Sequence, residues 1–217
     1  MKLNNKRTIL VGLAFLSICA FWQMYDSVVP LILTKTFHMN ETFSGAIMAA
    51  DNILALFLLP FFGSLSDRSH SKIGKRMPFI LFGTGCAVIL MNILPLLDNS
   101  YAAQPSGLKT ASFVIVLGLL LVAMGTYRSP AVALMPDVTP KPLRSRANAI
   151  INLMGAVGGI LYLGVAAVLY PNSKTAGLDH VNYQPLFIVV SAIMFIAIAI
   201  LFLTVKEPKL TAENQAL

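Results

Sequence analysis

Six long apolar runs, at about 8–33, 44–64, 78–97, 111–136, 147–170 and 185–205, leave this 217-residue chain few ways to fold. Each reaches the roughly 20 residues that a helix needs to cross a hydrocarbon core of about 30 Å. A bilayer core offers no water to the backbone, so a run of this kind satisfies its amides within itself, as a helix. A barrel would instead show short segments of alternating polarity, and none are present. The sequence therefore predicts an all-α, multi-pass membrane protein, with six transmembrane helices over residues 1–205 and a polar tail over 206–217.

Composition removes the competing classes. Only 12% of residues are charged and 57% are hydrophobic, about half the charge of an ordinary soluble domain. The net charge of +7 does not point to nucleic acid. The basic residues sit at the ends of apolar runs, where lipid headgroups are the expected partner. Cys19 and Cys86 lie within apolar runs, which argues against a disulfide framework. His38, His70 and His180 fall between runs, and no metal or nucleophile constellation forms, so an enzyme is not expected. No Walker motif, rhomboid-type serine motif or pair of water-channel boxes is present.

Charge also orients the chain. Lys2, Lys6 and Arg7 precede a run too long for a signal-peptide core, so a retained first helix is expected. With the N-terminus inside, the inner segments hold twelve of the 16 Lys and Arg residues, and the outer loops hold only Lys35, Lys109 and Lys174. That asymmetry predicts a cell-membrane protein with both termini cytoplasmic. Arg128 is left over, inside the fourth helix.

Ionisable residues within a span are costly, about 2.5–3.5 kcal/mol even on insertion scales, and normally face a cavity or a partner. Here they are Asp26, Asp51 and Arg128. On the first helix, Cys19, Gln23, Asp26 and Pro30 share a face that is expected to point into the bundle. Trp22 and Tyr25 flank it. Aromatic rings beside hydrogen-bonding groups suit a sugar, and they equally suit an interfacial belt. Asp26 and Asp51 each lie seven residues from the outer end of their helix, about 10 Å deep, so one outer-half cavity can hold both. Asn148 and Asn152 on the fifth helix are the expected neighbours of Arg128, and Gly155-x-x-x-Gly159 on the same helix permits close packing. Pro130, after Tyr127-Arg128-Ser129, frees local backbone carbonyls. Taken together, this polar stripe is too polar to face lipid and is expected to line one open side of a six-helix bundle.

The loop between the second and third helices carries a family resemblance. Gly63-x-Leu-Ser-Asp67-Arg68 followed by Gly74-Lys75-Arg76 resembles the signature loop of the major facilitator superfamily. The longer spacing and the trailing Pro78-Phe79-Ile80 are similar to the glycoside/cation symporters, above all the sucrose/proton symporter-like branch. Trp22-Gln-Met-Tyr-Asp26, Asp51-Asn52 and the stretch from Arg128 through Asp137 to Arg144 carry the same resemblance. It implies a half-transporter built from two inverted three-helix repeats. It also implies a gating motif of Gly63, Asp67, Arg68, Gly74, Lys75, Arg76, Asp137 and Arg144, in which Asp67 is expected to pair with Arg68, Arg144 or Arg146 when the inner side is closed. Melibiose-type relatives bind sodium with paired acids one turn apart, but Ala55 follows Asp51 by four, so a proton rather than sodium is the expected coupling ion.

The expected function is proton-coupled transport of a sugar or glycoside. Trp22, Gln23, Asp26, Arg128, Asn148 and Asn152 would bind the substrate, and Asp51 and Asp26 would couple the proton. The resemblance covers only the first of two family halves, so a homodimer or a separate C-terminal-type half is the expected partner. The alternative is a truncated or non-transporting membrane interaction or assembly protein.

Overall fold

The computed structural model describes residues 3–215; Lys2, counted above among the inner basic residues, lies outside them. The elements are α1 (Asn5–Leu31, continued by a π-helical turn, Ile32–Thr36), α2 (Glu41–Asp67), α3 (Met77–Ala103) and α4 (Gly107–Val138). After a 3-10 turn at Lys141–Leu143 come α5 (Arg144–Leu169), α6 (Asn172–Thr175), α7 (Gln184–Thr204) and α8 (Glu207–Gln215). No strand occurs among the described residues. Among the described residues, six helices are long and apolar enough to span a membrane, in agreement with the six predicted runs.

Local chemistry explains where the spans begin. The Asn4 side chain accepts from the Arg7 amide at 3.1 Å, and Asn40 accepts from Thr42 at 3.0 Å. Each N-cap satisfies one of the amides that a helix start leaves unpaired. Pro78 and Pro185 occupy first-turn positions of α3 and α7, where a missing N–H costs nothing. Pro30 lies inside α1, just ahead of the π-helical turn. Its ring removes a backbone hydrogen bond at that point.

Helix α1 runs through the centre, with Ala14, Phe21, Ile32 and Leu33 fully buried. It packs most extensively on α5 and also on α7, while α3 packs on α4 and α7. Glycine governs the closest approach. A Cβ on Gly158 of α5 would collide with the Leu16 carbonyl of α1, and one on Gly155 would lie 2.9 Å from the Cys19 sulfur. The Gly155-x-x-x-Gly159 motif thus contributes Gly155, but the tightest contact belongs to Gly158. Between α1 and α4, the buried Tyr127 hydroxyl donates to the Ala14 carbonyl at 2.9 Å and also meets Ser17.

Helix α2 is the least covered. It leans mainly on α4, and along its length only Ser44 and Ser66 are buried. Phe43, Ile53, Leu56, Phe57 and Phe61 are exposed, as befits a face for lipid or a partner helix. Both ends of the chain lie at one end of the bundle, where Arg7 approaches Glu213 at 3.9 Å. This is the terminal face; the opposite end is the distal face. The polar tail is helical over Glu207–Gln215 and docked. Asn214 donates to the carbonyls of Asp137 and Thr139 at 3.0 and 3.2 Å.

Candidate functional site

The polar stripe of α1 is an open face. Gln23 and Asp26 are exposed, and Cys19, Trp22 and Pro30 are half-buried. Asn148 and Asn152 of α5 are exposed too, while Asp51 of α2 and Arg128 of α4 are half-buried. The face expected to point into the bundle therefore points out of it, on the open side that the stripe's polarity requires. The stripe runs along the edge of the α1–α5 contact: Cys19 borders Gly155 and Gln23 borders Gly159, while Asp26 is left uncovered.

Within this face, Arg128 lies with its guanidinium 5.5 Å from the Trp22 ring centroid, in cation–π range. A narrow pocket between α1, α2 and α4 brings Trp22, Asp51, Ala55 and Arg128 to one lining. Arg128 was expected beside Asn148 and Asn152; no hydrogen bond joins them among the described residues, and its neighbours are instead on α1 and α2. The side chain leaves α4 toward the ring of Trp22, which offers a cation more than an amide in a weakly polar setting. Asp51 accepts from the amide and the side chain of Asn52 at 2.6 and 2.9 Å. Asp26 and Asp51 both lie within electrostatic reach of Tyr25. Trp22 stands edge-on to Tyr25 at 5.3 Å. The Trp22 Nε1 and the Tyr25 hydroxyl are buried without a hydrogen-bond partner, an arrangement that is costly unless something else supplies the partner.

The terminal face is the opposite case. Arg76, its side chain 6% exposed, stands at the start of α3 and spends nearly all its donors. Nε donates to Asp137 at 2.9 Å, and one terminal nitrogen donates to Ser66 at 2.5 Å and to the Gly63 carbonyl at 3.2 Å. The other pairs with Asp67. Lys75 adds contacts of 3.3 Å to Asp137 and 3.7 Å to Asp67. Asp67 therefore pairs with Arg76 and Lys75, not with Arg68, Arg144 or Arg146. Arg68 follows the end of α2 and is exposed. Arg144 is used elsewhere, donating to the carbonyls of Pro136 and Thr139 at 2.7 and 3.3 Å and so closing the C-terminal end of α4.

Glu207 is the residue that sequence reasoning missed. It is 1% exposed, and its carboxylate accepts from the amides of Lys75, Arg76 and Met77 at 2.9, 3.0 and 2.9 Å. An acid there satisfies three amides at the start of α3 and meets the positive end of its dipole. Gly74 has φ 118°, and a Cβ there would strike the Glu207 carboxylate, which gives this glycine two reasons to be one. The only local signal was an acid followed by Pro208 at the start of a polar segment.

Comparison with known proteins agrees with this architecture. The family model of the Major Facilitator Superfamily matches residues 11–216. The chain is 35% identical to the sucrose transport protein SUC3 of Arabidopsis thaliana over 61% of its length, and 33% identical to the sucrose transport protein SUT3 of Oryza sativa subsp. indica over 58%. It is 26% identical to the alpha-ketoglutarate permease of Escherichia coli (strain K12) over 81% of its length. The matched segments are 24%, 28% and 38% of those proteins, so the chain spans less than half of each.

Proposed function

The chain belongs to the major facilitator superfamily, and on that premise we propose that it forms one half of a proton-coupled sugar or glycoside transporter of the cell membrane, with both termini cytoplasmic. The observation that carries this reading is the open polar face. Trp22, Gln23, Asp26, Arg128, Asn148 and Asn152 share it, and two buried donors on Trp22 and Tyr25 lack partners. A sugar fits both needs, since its C–H faces stack on aromatic rings and its hydroxyls accept and donate hydrogen bonds. Asp26, exposed, serves the substrate; Asp51, oriented by Asn52, carries the proton.

Such a face is complete only when covered. A second copy or a separate C-terminal-type half supplies the other wall, because polar groups facing hydrocarbon cost several kcal/mol each. Cysteines placed at Gln23 and Asn152 are then protected from an impermeant thiol reagent in the assembled protein.

The deciding experiment is uptake of labelled sucrose into proteoliposomes under an imposed pH gradient. Accumulation is expected for the wild type with its second half and not for Asp26→Asn/Asp51→Asn. A double variant that still concentrates sugar overturns the coupling. The same open face also suits a permanent protein partner. Stable association without uptake of any sugar favours the second reading, a membrane assembly protein that does not transport.

A further inference from the structure

At the distal face, Asp98 is fully buried near the end of α3, and both its carboxylate oxygens lack a hydrogen-bond partner. The nearest cationic group is His180, whose Nε2 lies 4.0 Å from the carboxylate. His180 belongs to the segment joining α6 to α7, and its ring fixes that segment to two helices. Nδ1 meets the Thr36 hydroxyl at 3.1 Å, on the π-helical turn after α1, and Nε2 meets the Asn99 side-chain oxygen at 2.9 Å, on α3. Asn99 also donates to Asn182 at 2.9 Å, and the Tyr170 hydroxyl donates to the Asn182 carbonyl at 2.8 Å.

Because the Asn99 oxygen only accepts, Nε2 carries a hydrogen in either charge state of the ring. Nδ1 accepts from Thr36 when the ring is neutral and donates to it when the ring is charged; a hydroxyl can do both. The hydrogen bonds thus tolerate both forms. Asp98 does not, since a buried carboxylate beside a neutral imidazole has no compensating charge. Other ionisable groups here do not supply one. Tyr183, at the start of α7, faces Asp98, and Tyr170 is engaged with Asn182. Lys35 and Asp179 are exposed on the rim of a cavity shared with Thr36 and Tyr183, and Lys109 is bound to the carbonyls of Ser100 and Gln104.

We propose that Asp98 and His180 share one proton and so form a pH-sensitive latch that holds residues 171–183 across the distal ends of α1 and α3. The latch is closed while the pair keeps its proton and released when the proton is lost. The closed form binds more protons than the open one, so its stability falls as pH rises. It is present while the pair holds its proton and is lost as rising pH removes it. The latch does not depend on the transport reading, and its test needs no transport.

The test is hydrogen exchange of residues 171–183 in the full chain in lipid nanodiscs, corrected for intrinsic base catalysis, at pH about 5.5 and 8.5. Wild-type protection is expected to fall by about tenfold or more, the effect of one linked proton over a pH unit. Asp98→Asn should give equal protection at both pH values, and His180→Gln should lose protection at a lower pH than the wild type. Wild-type protection that is the same at both pH values overturns the latch, whether or not the variants fold. So does an Asp98→Asn profile that keeps the wild-type pH dependence.

Discussion

The terminal-face network and the mid-membrane polar face are built from the same kinds of side chain and reach opposite ends. Around Arg76, the guanidinium meets two carboxylates, a hydroxyl and a carbonyl, and Glu207 takes up three backbone amides. Around Arg128, the cation has an aromatic ring, and two buried donors beside it have nothing. One region is finished by its own chain. The other leaves two buried donors without a hydrogen-bond partner among the described residues. A satisfied buried network holds its elements in place, whereas unpartnered donors on an open face are what a ligand or a partner must complete.

Substitutions at five residues break or sharpen that contrast. Arg76→Ala is expected to cost the most stability, about 3 kcal/mol, because it removes the buried guanidinium that joins Asp67, Asp137, Ser66 and the Gly63 carbonyl. Thermal unfolding in detergent reads this, and Arg76→Lys should restore little, since a point charge cannot reach Asp67, Asp137 and Ser66 together. Glu207→Gln keeps the shape but loses the charge on the start of α3, so about 1–2 kcal/mol is expected. Faster proteolysis of the 68–76 loop would accompany it. Arg128→Gln should cost about 1 kcal/mol, within the range of a half-buried cation–π contact, yet abolish substrate binding. A stability loss matching that of Arg76→Ala would erase the distinction between the regions. Asp26→Asn/Asp51→Asn comes last, within about 0.5 kcal/mol of the wild type, with loss only of pH-driven accumulation.

The same contrast shows what a sequence exposes to reading. The spans were legible because apolar length measures membrane thickness. Their ends were not, since helices such as Asn5–Leu31 and Met77–Ala103 continue past the hydrocarbon on capping and loop chemistry that hydropathy does not see. Periodicity placed Gln23 and Asp26 on one face of α1 but could not say which flank α5 would cover, because a period defines a face and not its neighbour. The partners of Asp67 were misjudged for a related reason. Arg76 reaches it only because the intervening loop folds back at Gly74, a path set by backbone conformation. Glu207 lies 130 residues from the Met77 amide it accepts from, and nothing local in either segment announces the other. Asp98 fell inside the loop expected over 98–110, where an acid would have been unremarkable; it became notable only when α3 ran on to Ala103.

The contact of Gly158 with the Leu16 carbonyl bears on more than packing density. It sits within the α1–α5 contact, between Gly155 and Gly159, which border Cys19 and Gln23 of the polar face. There it acts as the hinge pin of a book whose two open pages carry Gln23 and Asp26 on one leaf and Asn148 and Asn152 on the other. The angle between those leaves is set by a hydrogen atom at Gly158. A single methyl group at that position would force the spine apart and re-space hydrogen-bonding groups it never touches. The aperture of the face is therefore written in a residue with no side chain.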